Sequence, residues 1–216
     1  MSLMDLQLKT ALIDILKTDE DLKKVNFTFD RVTIGTMHFR ILASWIESGR
    51  LRCRVNAAKI PTGAEAAYDP GTDTIYAKTA SVRYDPEKMI LLHEATHAYL
   101  DLLGGVHGVK MTNLENETCA YLAAAMYELA MARSRHRHSA VRITVGTGAS
   151  ARKKAIYREA ESIVKKKGLG SGSTNAGNPI HFLRPDVTKL QAAIRSSSLY
   201  PDWRQPSVLN GIPSTP

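Results

Sequence analysis

The sequence predicts an α+β domain, with helices packed on one side of a small, mostly antiparallel sheet and a basic C-terminal extension. Three observations point there. Residues 85–105 are apolar on nearly every face, residues 51–78 switch to a period of two broken by a turn, and an alanine-rich helical pattern begins at Asn113. The 216 residues, 44% hydrophobic and 23% charged, supply enough apolar material for one sizeable core.

The first element is an amphipathic helix within residues 3–24, where Leu8, Leu12, Ile15, Leu16 and Leu22 recur at three- and four-residue spacing among Asp and Lys. A second helix from Met37 to Ser48 carries Phe39, Ile41, Leu42, Trp45 and Ile46 and stops at Gly49. Leu51, Cys53 and Val55 then alternate with Arg52, Arg54 and Asn56, the pattern of a strand. A hairpin follows, with strands at 64–68 and 74–78 joined by the turn-forming Asp69, Pro70, Gly71 and Thr72.

The next helix is marked at both ends. Asp85 is a good N-cap, Pro86 suits the first helical position because its missing N–H has no intrahelical partner there, and Gly104 with Gly105 predicts the stop. Its apolar residues leave almost no polar face, which places it deep in the fold. The helix from about Asn113 to Arg133 is rich in alanine, so a partner helix can approach closely. Beyond it the sequence predicts a basic helix over 150–167, a flexible Gly/Ser stretch over 168–177 and a short helix over 185–197. Six of the nine prolines fall after residue 178, so the last stretch reads as extended or disordered.

The formal charge of +8 is uneven. Between Arg133 and Lys167 eleven Lys and Arg face only Glu159 and Glu161, a local charge of +9 that leaves the rest of the chain near neutral. The expected organisation is a main domain over 1–132 and a basic helical extension over 133–216 with a Pro/Gly/Ser-rich tail. Cys53 and Cys119 lie in apolar stretches and read as core, not as a disulfide framework. No apolar run approaches the ~20 residues that cross a bilayer, and the start lacks the basic and then apolar order of a signal peptide. The chain is therefore expected in the cytoplasm without a membrane partner; a non-classically secreted effector stays open.

Within the buried helix stands His93-Glu94-Ala95-Thr96-His97. Residues four apart lie one turn above each other, so both imidazoles can reach a single ion about 2.0–2.1 Å away. Glu94 projects beside them, where it can act as general base toward a zinc-activated water. Three ionisable side chains on an otherwise apolar helix are costly to bury without a common partner. A catalytic zinc needs a third protein ligand. A metzincin extension is excluded, because Leu100 and Leu103 stand where it requires Gly and His. His107, Glu115 and Glu117 are the candidates. Thr112 and Glu115 have capping-box spacing, which would engage Glu115 at the helix start. That favours Glu117, which two antiparallel helices would bring to a similar depth as His97.

His93–His97 followed twenty residues later by Glu117, within Asn116-Glu117-Thr118-Cys119-Ala120-Tyr121, resembles the gluzincin group of zinc metallopeptidases, especially small single-domain members whose third ligand heads a Glu-x-x-Ala helix. The resemblance covers residues 51–132. It implies a zincin-like fold, His93, His97 and Glu117 as Zn2+ ligands, Glu94 as catalytic base, and a peptide or protein substrate pairing with the strand Thr74–Ala77. It also implies an oxyanion-stabilising side chain, for which Tyr121, Tyr99 and His107 are candidates. A second resemblance runs through His93–Leu100 and His107-Gly108 to SprT-like, DNA-associated proteases, and would make His107 the third ligand. The basic cluster would suit that DNA-associated class, but without a stacking platform the segment from Arg133 to Lys167 is expected to give only weak, salt-sensitive nucleic-acid contact. A non-catalytic zinc-containing nucleic-acid-binding protein is the remaining alternative, against which the intact Glu94 speaks. His136 and His138 sit in an Arg-rich stretch that repels cations.

Overall fold

The computed structural model describes residues 1–83, 85–134, 151–169, 178–197 and 202–209. Helix α1 spans Leu3–Thr18 and opens on a reciprocal cap: the Ser2 hydroxyl accepts from the Asp5 N–H at 3.1 Å and the Asp5 carboxylate accepts from the Ser2 N–H at 3.0 Å. The expected helix over 3–24 is shorter in the structure. Asp19 leaves the helical conformation, and its carboxylate accepts from Tyr127 at 2.7 Å and from Lys88 at 3.0 Å, so tertiary hydrogen bonds end the helix. Residues Leu22–Lys24 form only a 3-10 turn. Helix α2, Thr36–Glu47, buries Phe39, Leu42 and Ile46 as its pattern predicts.

The strands form two sheets. One contains β1, Phe27–Phe29, and β2, Val32–Ile34, paired antiparallel across a turn in which Asp30 takes a left-handed φ of 53°. The other contains β3, Arg52–Val55, β4, Ala66–Asp69, and β5, Thr74–Ala77, in the order β3-β5-β4. The predicted hairpin is present, with Ala66 opposite Ala77 and Asp69 opposite Thr74. Strand β3 joins β5 in parallel, and a distant β6, Ile180–Phe182, joins β1 in parallel. The single, mostly antiparallel sheet expected from the sequence is therefore corrected to two small mixed sheets. Strands of three residues are too short to show a period, and a parallel partner must come from a crossover that local patterning does not reveal.

Helix α3, Asp85–His107, buries Leu92, Ala95 and Ala98 completely. It runs through Gly104 and Gly105 and ends before Gly108, whose φ of 62° is the left-handed C-cap conformation. Gly104 serves packing instead of termination: a Cβ there would lie 2.9 Å from the Leu209 carbonyl oxygen. Helix α4, Asn113–Ser134, carries Ala120, Ala123, Ala124 and Ala125 fully buried, which lets neighbours close on it.

The chain beyond residue 150 returns to the same core. Helix α5, Ala151–Val164, continues into one wider π turn, Lys165–Leu169, and buries Ile156, Tyr157, Ala160, Ile163 and Val164. After β6, a 3-10 turn leads into α6, Thr188–Ser196, where Leu190 and Ile194 are buried. These side chains belong to one hydrophobic cluster with Leu8, Phe39 and Leu92. Part of the basic charge is paired: Lys165 with Glu161, and Lys167 with Asp186 at 2.7 Å. Arg135, Arg137, Arg142, His136 and His138 lie outside the described residues, as does most of the Gly/Ser stretch. Among the described residues no helix is long and apolar enough to cross a membrane.

Candidate metal centre

The i, i+4 spacing on α3 places the His93 and His97 rings one above the other, 4.7 Å apart and nearly perpendicular, with their Nε2 atoms 3.1 Å apart. Glu117 enters from the first turns of α4. One carboxylate oxygen lies 3.4 Å from His93 Nε2 and the other 3.6 Å from His97 Nε2. An ion 2.0–2.1 Å from each of three tetrahedral ligands would hold those atoms about 3.3 Å apart. One ligand atom from each of the three residues lies within 4.8 Å of the others, within reach of a single ion, and a His-His-carboxylate set is the donor chemistry zinc takes at open sites. The residues fit the ion.

Electrostatics point the same way. Burial pulls the His97 pKa down, but the carboxylates of Glu117 and Glu94, with the bond to Asn116, outweigh it and hold the imidazole above its ordinary value. This pocket favours positive charge. Glu115, the competing carboxylate, is engaged elsewhere: it accepts from the Thr112 N–H at 2.8 Å in the predicted capping box and from Arg184 at 2.8 Å. His107 stands at the far end of α3, roughly 15 Å along the helix from His97 at 1.5 Å per residue. It lines a separate cavity with Arg31, Lys110 and Arg184. The structure brings Glu117, and not His107, to the two histidines.

Glu94 is held at the edge of the second sheet. Its carboxylate accepts from the Tyr68 backbone N–H of β4 at 2.8 Å, and the Tyr68 hydroxyl donates to Asp101 of α3 at 2.6 Å. Tyr68 thus docks the β4 edge on the helix that carries the motif. The strand expected at that edge, Thr74–Ala77, is instead central in its sheet, and β4 is the exposed neighbour of the site. Between β4 and the histidines lies a cavity of about 480 Å³, lined by Ala66, Ala67, Glu94, Glu117, Lys153 and Ser207 among others. That volume falls in the range of small-ligand and peptide-side-chain sites.

No family model, curated protein or solved structure matches this chain.

The two histidines are oriented by different means. His97 Nδ1 lies 2.5 Å from Asn116 Oδ1, and Asn116 Nδ2 donates to Ser207 Oγ at 2.6 Å. His93 Nδ1 is buried without a hydrogen-bond partner, and its ring is fixed by edge contacts with Tyr121 at 4.7 Å, backed by Tyr157 of α5. The sequence pattern assigns Asn116, Ser207, Lys153 and Tyr157 no place at the metal centre; Lys153 figures in that pattern only within the basic cluster from Arg133 to Lys167. Asn116 directly precedes Glu117, and Lys153 and Tyr157 are four apart on a helix face, but nothing local ties them to His93. Of the expected oxyanion candidates, none lines the cavity. Tyr121 is fully buried behind His93, Tyr99 stacks on His38 and donates to the Thr33 carbonyl, and His107 belongs to the other cavity. Among the described residues that line it, Lys153 supplies the cationic side chain.

Proposed function

We propose that this chain is a zinc-dependent metallopeptidase of zincin-like type, with His93, His97 and Glu117 as metal ligands and Glu94 as general base. The observation that carries the proposal is the convergence of His93, His97 and Glu117, with one ligand atom from each within 4.8 Å of the others, beside a Glu94 carboxylate that is not one of the three. When bound, zinc would polarise a scissile carbonyl and acidify the attacking water. Glu94 takes the proton from that water and delivers it to the departing amine, a transfer its place beside the ligand pair allows. The Tyr68 amide orients the carboxylate for this role. As the edge strand of its sheet, β4 borders the cavity, which suits an extended peptide or protein substrate laid alongside it.

The expected outcome for Glu94→Gln is retention of zinc with loss of peptide hydrolysis by about 10²-fold or more, the usual worth of a positioned base. The assay is cleavage of an unstructured protein and of a fluorogenic peptide mixture, read beside metal content. Wild-type activity in the Gln variant would contradict the mechanism.

A further inference from the structure

The segment 202–209 crosses the start of α4 and is tied there by its backbone. The N–H of Asn113 donates to the Gln205 carbonyl at 3.0 Å, the N–H of Leu114 to the Trp203 carbonyl at 3.2 Å, and the N–H of Ser207 to the Met111 carbonyl at 2.8 Å. The first N–H groups of any helix lack intrahelical acceptors, so α4 gives the segment a fixed seat. Leu209 then packs over Gly104 of α3, where only the missing Cβ leaves room. Ser207 is thereby anchored from both sides, and its Oγ accepts from Asn116 Nδ2 at 2.6 Å.

An amide side chain has one donating and one accepting end. With Nδ2 donating to Ser207, Oδ1 faces His97 Nδ1, which lies 2.5 Å away. A carbonyl oxygen there accepts an N–H, so the imidazole proton sits on Nδ1 and the Nε2 lone pair is left toward Glu117 and the ion site. We infer that Ser207 is a positioning residue of the proposed metal centre: seated by the 202–209 strap, it holds Asn116 against His97 Nδ1 and so sets the angle at which the His97 ring faces the ion site. This rests on the proposed metal site.

The test is the zinc dissociation constant, measured by competition with a chromogenic chelator, for wild type, Ser207→Ala, Ser207→Thr and Asn116→Ala. Partners of metal-bound histidines are typically worth 10- to 100-fold in affinity. Ser207→Ala is expected to weaken zinc binding on the order of 10-fold, Ser207→Thr to retain it, and the melting temperature of the metal-free protein to stay at the wild-type value in both. In an Asn116→Ala background, Ser207→Ala should cost nothing further, because the two act in series. Wild-type affinity in Ser207→Ala overturns the inference, and so does an additive loss in the double variant or a fall in metal-free stability that matches the loss of affinity. A wild-type chain that binds no zinc overturns the metal site itself, and this inference with it.

Discussion

The two sides of the proposed metal centre are held by opposite kinds of force. On the His97 side a polar chain runs from the ring through Asn116 to Ser207, in distances of 2.5 and 2.6 Å. On the His93 side Nδ1 has no hydrogen bond among the described residues, and the ring meets Tyr121 edge-on with Tyr157 packed behind it. A hydrogen bond sets both the angle and the protonation of a ring, whereas aromatic packing sets only its angle. Neighbouring ligands can therefore fail in separable ways. Damage on the His93 side should cost stability first, and damage on the His97 side should cost metal affinity first.

The largest stability effect is expected from Tyr157→Ala. The side chain is 1% exposed in the seam between α4 and α5, and truncation of a buried aromatic costs about 3–5 kcal/mol. Denaturant unfolding of the metal-free protein should show it, while Tyr157→Phe, which keeps the ring against Tyr121, should leave zinc affinity unchanged. A Tyr157→Ala protein as stable as wild type would break the contrast. A smaller effect is expected at Gly104. Alanine there would gain up to about 1 kcal/mol of helix propensity on an open surface, but its Cβ would meet the Leu209 backbone. The clash should win, with a net loss of roughly 1–3 kcal/mol and weaker zinc binding through the displaced strap. A stabilised Gly104→Ala protein would mean that the strap does not bear on α3.

How much of this was legible in the sequence follows from the range of each interaction. His93, Glu94 and His97 are spaced by one helical turn, and Glu117 stood out once the Thr112–Glu115 cap removed its neighbour from contention; the structure shows that cap at 2.8 Å. Helices α2 and α4 and the β4–β5 hairpin were readable because their signals are local. Gly104 was misread as a stop, because its reason is a contact with Leu209 more than a hundred residues later. Strand β6 pairs with β1 from near the other end of the chain, and three-residue strands carry no periodic signal. Asn116 and Ser207 are 91 residues apart, so no motif could join them. Short-range geometry thus announced the candidate ligands, while the parts that orient them depend on where α5 and the strap return to the fold.

The metal content of the purified chain and of two variants tests the central claim most directly. Glu117 lies 3.4 and 3.6 Å from the two histidines, whereas His107 lines another cavity. Wild type and His107→Ala should each carry about one equivalent of zinc, as a single three-ligand site requires, and Glu117→Ala should lose it. Zinc retained by Glu117→Ala and lost by His107→Ala, or a wild-type chain that takes up none, would contradict the account.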